Sequence, residues 1–243
     1  MEQLPYISIC TPLFNRTKWL PLMIFNLQNL DYPKDKLEWC VLDTHDKKEQ
    51  KWDKLFKNKQ EIDTVEKEIG FKINYVSKPN NYHIGKKRNL LVKQATHKIC
   101  ANADSDDIVL PSWLKHSIEV MKSDKRCSLV GTPEMTFVFA HYGWKVTGIR
   151  CPEKRMIHEA CMVYTKKHWR SMGGFGNSSQ GEGCKMVDFN EAGCLPTSAD
   201  KCIICVCHDD NTIDKDQFKD KSMNNVVLGG PMKEVLQKIL NIE

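Results

Sequence analysis

No apolar run in these 243 residues approaches the roughly 20 that a helix needs to cross a bilayer, and no charged-then-apolar leader opens the chain. The expectation is a soluble, cytoplasmic protein. Internal repeats and low-complexity tracts are also missing, which excludes repeat architectures. Charge of one sign is scarce as a block: 36 Lys and Arg against 31 Asp and Glu leave +5, with lysine spread along the whole length. That is not the concentrated basic face of a dedicated nucleic-acid binder, so no nucleic-acid partner is expected, although a mild excess suits an anionic ligand. Eleven cysteines is an odd number, and Cys10, Cys40, Cys100 and Cys161 lie inside apolar runs, where a free thiol behaves as a small hydrophobe. A reducing compartment is expected rather than a disulfide scaffold. The cluster Cys202, Cys205, Cys207 and His208 lacks a second ligand pair, and a strand would put Cys205 and Cys207 on one face with His208 on the other. Structural zinc is therefore not expected there.

What is present is a chain 41% hydrophobic and long enough to bury one substantial core. The stretch ICANADSDDIVLP, residues 99–111, organises it. A short apolar lead-in reads as a buried strand, and it delivers Asp104, Asp106 and Asp107 at its tip. Carboxylates crowded in this way are pushed toward protonation unless a cation sits among them. Hard oxygen ligands suit Mg2+, Mn2+ or Ca2+, and Mg2+ or Mn2+ would be shared with the phosphates of a bound nucleotide. The plain alternative is a solvated acidic turn capping the helix that begins near Pro111. Against it stand the apolar lead-in, the habit of open α/β sheets to bind ligands at strand ends, and a well-marked helix with Leu114, Ile118 and Met121 on one face. An EF-hand is excluded because Ile108 and Lys115 fall where oxygen ligands are required.

From the N-terminus, residues 6–10 read as a strand ending in the polar turn TPLFNRT, followed by a helix with Thr17 as cap and Leu20, Met23, Leu27 and Leu30 at helical spacing. Residues 37–42 form a second strand closing on Asp43, and this strand, helix and strand imply a right-handed parallel crossover with both strand tips at one edge. Residues 47–70 read as one or two exposed amphipathic helices without chemistry. After a strand at 71–76, Gly85 precedes a helix whose first turn carries Lys86, Lys87 and Arg88. Positive charge there opposes the helix dipole, and is explained if it meets an anion; a surface basic turn is the alternative. Strands follow at 128–130 and 136–140, then a turn at 141–143, an apolar segment at 160–164 and a short helix at 166–170. The glycine-rich run SMGGFGNSSQGEGCKMVDF reads as a flexible loop holding Glu182 and Asp188, either of which could serve as a general base. Residues 201–207 alternate as a strand that presents His208, and 229–243 form an amphipathic helix.

Taken together, these segments resemble the family 2 glycosyltransferases of the GT-A fold, which are inverting and use nucleotide-sugar donors. ISICTPLFNR is similar to the family's first strand and turn, which implies that Thr11, Pro12, Phe14 and Asn15 lie around the nucleoside. VLDTHD resembles the second strand tip, so Asp43 would read a uracil edge, and GKKRNLLVKQAT resembles the segment that brings Arg88 toward a diphosphate. ADSDDIVLP matches the Asp-x-Asp signature, with Asp104 and Ser105 toward the ribose and Asp104 and Asp106 toward the metal. HEACMVYTKKHWRSMGGF resembles the acceptor-side segment. The family then presents a Glu-Asp pair whose aspartate is often the base, whereas this chain reads Gly181-Glu182-Gly183. Glu182 or Asp188 would have to supply it, or the enzyme is impaired. The histidine of CVCHDDN, His208, resembles a late metal ligand.

The resemblance implies a Rossmann-like, mostly parallel sheet flanked by helices, in one GT-A domain over 1–228 with a nucleotide-binding half at 1–110, an acceptor-side half at 111–228 and a helical tail at 229–243. It further implies Mn2+ or Mg2+ as cofactor, a UDP-sugar as the favoured donor, and a glycan, glycoprotein or lipid-linked acceptor. Two rival readings draw on the same sequence. A haloacid-dehalogenase-like phosphatase would use Asp104 as nucleophile, but Asp107-Ile108 replaces its usual Gly-Thr. A basic RNA-binding or zinc-supported module would show steep salt-dependent binding and no donor turnover. Lysine- and asparagine-rich usage points to an AT-rich genome, that of a microbe or a large virus.

Overall fold

The computed structural model describes residues 3–46, 52–150, 157–187, 193–209, 211, 215–220 and 222–242, without side chains at 222–227. In chain order the strands are Ile7–Phe14 (β1), Leu37–His45 (β2), Lys72–Pro79 (β3), Ile99–Asn102 (β4), Asp107–Val109 (β5), Leu129–Gly131 (β6), Glu134–Phe139 (β7), Lys145–Arg150 (β8), Val163–Thr165 (β9), Cys194–Pro196 (β10), Ile203–Cys207 (β11) and Ser222–Val227 (β12). The helices are Leu20–Gln28 (α1), Lys59–Ile69 (α2), Ile84–Gln94 (α3), Trp113–Ser123 (α4), Lys166–Ser171 (α5) and Gly230–Leu240 (α6).

A seven-stranded sheet runs β10-β6-β9-β4-β1-β2-β3, and a five-stranded one runs β12-β8-β7-β11-β5. In the larger sheet β3, β2, β1 and β4 are parallel, and β9 is the antiparallel strand. The mixed, mostly parallel sheet expected from the sequence is therefore present, and β6, β9 and β10 from the second half of the chain complete it. β2 is buried at all nine positions, as expected of a central strand covered on both faces. Alternation along β1 and β2 sends Ile7, Ile9, Trp39 and Val41 into one layer of core, while Cys10, Cys40 and Leu42 enter the other. The first layer is packed by α1, α2, α4 and α6, the second by α3. Leu236 of α6 is fully buried in the first layer.

Several local readings change. β1 runs on to Phe14, so most of the expected polar turn is strand. Thr17 does not cap α1; its hydroxyl donates to Asp53, and a single 3-10 turn with Pro21 opens the helix. In 52–70 there is one helix, α2, capped by the Asn58 side chain and ended by Gly70 at φ 85°, while residues 47–51 lie outside those described. Leu55 and Phe56, expected on exposed helix, are buried in the core ahead of it. Among the described residues, no helix is long and apolar enough to cross a membrane.

Candidate functional site

β1, β2 and β4 run in the same direction, so their C-terminal ends share one edge of the large sheet. There Asp104, Ser105 and Asp106 span the gap from β4 to β5, linking the two sheets. The acidic tip holds two carboxylates rather than three. Asp107 has already entered β5, where it is 5% exposed and its Oδ1 accepts from the Val206 amide at 3.2 Å. Burial raises its pKa to about 7, against the pull of the Lys215 charge.

Arg88, the fifth residue of α3, is buried among carboxylates and not open at the sheet edge, where the resemblance has it meet a diphosphate. Its Nε donates to Glu182 Oε1 at 3.0 Å and its Nη2 to Asp104 Oδ2 at 3.1 Å. Burial alone would lower its pKa, but the charges of Asp104 and Glu182 keep it well above the ordinary value. Asp104 is raised by burial, with Arg88 opposing and Asp106 adding to the rise. Asp106 behaves differently: burial would raise it, but the hydrogen bond from His208 Nε2 at 3.0 Å and the Arg16 guanidinium at 3.3 Å hold it below the usual carboxylate range. His208 arrives from the end of β11, packs at a tilt against Trp19 with 4.5 Å between ring centroids, and also meets Asn211.

A cleft of ≈ 220 Å³ opens onto this edge, and Pro12, Phe14, Arg16, Lys87, Asp104 and Asp106 are among its lining residues. Ser105 and Tyr82 also reach it. Thr11 does not: its hydroxyl accepts from Trp39 Nε1 at 2.9 Å, inside the core. Asn15 follows β1 with φ 52° and is exposed, outside the lining. Asp43 is buried at 2% exposure behind the cleft, and its Oδ2 accepts from the Leu55 amide at 2.9 Å and the Tyr75 hydroxyl at 2.6 Å. Burial raises its pKa, and those two donors oppose the rise.

Two cations of the lining, Arg16 and Lys87, are not among the sequence candidates. Arg16 stands just beyond β1, inside the motif already singled out. Lys87 is 4% exposed; its Nζ donates to the Leu13 carbonyl at 3.1 Å and lies 4.8 Å from the centroid of the Phe14 ring. Burial lowers its pKa to about 8, with Asp43 opposing. Basic residues in the first turn of α3 were a signal for both Lys87 and Arg88, but only contact with the end of β1 makes Lys87 a cleft residue.

The glycine-rich segment expected to be flexible is fastened to α3. Gly85 N donates to Ser178 O at 3.0 Å, and a Cβ at Gly85 would collide with Gly176 O. Asn89 donates to the Phe175 carbonyl and accepts from the Phe175 amide and the Trp169 indole. This fastening brings Glu182 to Arg88. Asp188 lies outside the described residues.

Two carboxylates and an imidazole form a hard donor set suited to Mn2+ or Mg2+. Asp106 Oδ2 and His208 Nε2 stand 3.0 Å apart, close enough for one ion to touch both. The Asp104 Oδ1 atom is buried and accepts no hydrogen bond, although Arg88 Nη2 approaches it at 3.0 Å. The residues present fit such an ion as a partial shell, to be completed by oxygens from elsewhere, since no group of three His, Cys, Asp or Glu among the described residues closes a site alone. The late cysteines are engaged separately, Cys202 with Thr197 and Cys205 with His158.

Residues 8–175 match the family model described as glycosyl transferase family 2. The chain belongs to that family. Family membership sets aside the phosphatase and nucleic-acid-module readings. A curated relative, the cellulose synthase catalytic subunit [UDP-forming] of Pseudomonas fluorescens (strain SBW25), is 27% identical over 139 residues, or 56% of this chain and 17% of its own length. The chain thus spans about a sixth of that relative. Among solved structures, S. aureus TarS 1-349 in complex with UDP-GlcNAc matches with a TM-score of 0.61 at 16% identity, over 96% of this chain and 65% of TarS 1-349. The mannosyltransferase PcManGT from Pyrobaculum calidifontis, in complex with GDP-Man and Mn2+, matches with a TM-score of 0.57 at 14% identity, over 89% of this chain and 59% of its own. The architecture of this family 2 chain is the GT-A fold.

Proposed function

We propose that this family 2 protein transfers a sugar from a nucleotide-diphosphate sugar, with a UDP-sugar favoured, to an acceptor hydroxyl on a glycan, glycoprotein or lipid-linked molecule, with inversion at the anomeric carbon. The observation that carries the reading is one cleft in which Asp104 and Asp106 face Arg16 and Lys87 at the edge where three parallel strands end. Pro12 and Phe14 would border the nucleoside and Lys87 the diphosphate, with Arg88 behind them fixing Asp104. Asp106 and His208, with Asp104 beside them, would hold Mn2+ or Mg2+, which supplies positive charge against the departing diphosphate. Glu182 and Asp188 are the sequence's candidates for the base, and Asp188 lies outside the described residues. With its Oε1 on Arg88, Glu182 also serves to hold that guanidinium in place. The ten described cysteines are free thiols, which supports a reducing, cytoplasmic setting.

Asp43 tests the donor base. Both hydrogen bonds of the Asp43 carboxylate among the described residues use Oδ2, and Oδ1 would take a ligand donor such as a uracil N–H. Calorimetric titration with UDP, CDP and GDP in Mn2+ should show UDP bound tightest. Asp43→Ala should weaken UDP by about tenfold or more, with the other two little changed. Equal binding of all three by the native protein would refute the uridine reading.

Lys87 tests the diphosphate. Its folded pKa, about 8, lies below its ordinary value, so it loses its proton as pH rises through 8. The Kd for UDP should therefore rise between pH 7 and pH 9, by up to about tenfold per unit above 8. Lys87→Met should bind more weakly at pH 7 and show no such rise. A native Kd that is flat across this range removes Lys87 from the diphosphate.

A further inference from the structure

Glu159 stands on a single 3-10 turn, Glu159–Cys161, between β8 and β9. Its Oε1 accepts from the Gly183 amide at 3.3 Å. It is partly exposed and makes no ion pair among the described residues. The contact with Gly183 is intimate: a Cβ built there would run into Glu159 Cγ and lie 2.9 Å from Met162 Cε. Gly183 does not have a left-handed φ, so its backbone would accept a side chain. What bars a side chain at 183 is chiefly the arm of Glu159, with the Met162 methyl close beside it.

We propose that Glu159 is the general base that takes the proton of the acceptor hydroxyl, supplying from the turn before β9 the carboxylate that position 183 lacks. The inference rests on the glycosyltransferase reading above and adds to it a role for a residue that the acceptor-side resemblance leaves unassigned. Counting charge around Arg88 favours Glu159 over its neighbours. One guanidinium is bonded to both Asp104 and Glu182, and neither can accept a proton without loosening that bond. Glu159 lies outside these bonds. Burial raises its pKa first and the Glu182 charge adds to the rise, while Arg88 and the amides of Glu159 and Gly183 oppose it. His158, its neighbour on the turn, is itself held neutral by burial, with a pKa lowered to about 3. A carboxylate with a raised pKa is better matched to removing a hydroxyl proton. In the step, the acceptor oxygen bonds to the anomeric carbon, the bond from that carbon to the diphosphate oxygen breaks with its electrons leaving on the nucleoside diphosphate, and the hydroxyl proton passes to Glu159.

The test uses the full chain with Mn2+ and a UDP-GlcNAc and UDP-glucose pair as donors, following UDP release to water, while UDP binding is measured separately by calorimetry. Glu159→Gln should lower kcat on the order of 10²-fold and abolish the acidic limb of the pH–kcat profile, with the Kd for UDP within about twofold of native. Gly183→Asp alone should be poorly tolerated. Glu159→Ala/Gly183→Asp, which removes the obstruction and returns a carboxylate from the other side, should recover at least about tenfold over Glu159→Ala. A purely structural role for Glu159 predicts no such recovery. The proposal is overturned if Glu159→Gln keeps native kcat and its acidic limb, or if Glu182→Gln is the variant that removes that limb. Native protein that binds UDP yet turns over neither donor overturns it as well, whereas native protein that fails to bind UDP defeats the glycosyltransferase reading itself.

Discussion

Arg88→Met is expected to cost the fold about 3–5 kcal/mol, a drop in Tm of about 10 °C for a chain of this size. The side chain is 2% exposed and is bonded to Asp104 and Glu182, so methionine fills much of its volume but leaves two carboxylates facing each other without a counter-charge. The penalty should depend on pH with a definite sign. Asp104 already sits above the ordinary carboxylate value because it is buried, and Arg88 is the main group opposing that rise. Without Arg88 it moves further up, so between the ordinary value and this higher one the folded state binds more protons than the unfolded state. The variant should therefore lose stability as pH rises through that window, and lie closer to native at pH 5 than at pH 8. Urea titrations at the two pH values would measure the difference. Equal losses at both would show that the guanidinium contributes by packing and not by charge.

The second large effect is on donor turnover. Asp106→Ala removes the carboxylate shared by His208 and Arg16, and should abolish the UDP-induced thermal shift that depends on Mn2+ and lower turnover on the order of 10³-fold. The fold should tolerate it better than the loss of Arg88, because Asp106 is 17% exposed at the mouth of the cleft and its partners keep access to water. Arg16, freed from Asp106, cannot stand in for an ion, since it adds charge without adding a site for oxygens. A retained Mn2+-dependent shift in the variant would place the ion elsewhere.

The order of strands and helices was readable because each apolar run has the length and alternation of its element. The Asp-x-Asp edge was readable for the same reason, as a polar cluster at the end of one such run. What was misjudged was where β1 stops. Pro12 and its polar neighbours read as a turn, yet the strand continues to Phe14. Once it does, alternation decides the site: Pro12 and Phe14 face the cleft while Thr11 points the other way, into the core against Trp39. Lys87 escaped selection because nothing local distinguishes it from Lys86. Its burial comes from the Leu13 carbonyl and the Phe14 ring, far away in sequence. Asp107 looked like a third member of the acidic tip because a three-residue strand of a second sheet leaves no periodicity to detect. Glu159 lies in the acceptor-side segment 158–175, but nothing in that segment gives it a role, and only the missing side chain at 183 hints at one.

The tether between α3 and the glycine-rich segment limits how this protein can be re-engineered. If the proposed acceptor side is right, residues 175–182 are the region to exchange when seeking a different acceptor. Asn89 bridges both backbone groups of Phe175, and Gly85 leaves room for the chain at Gly176. A transplanted loop would therefore have to bring its own counterparts of residues 85 and 89, and any misfit would be passed along α3 to Lys87 and Arg88 between them.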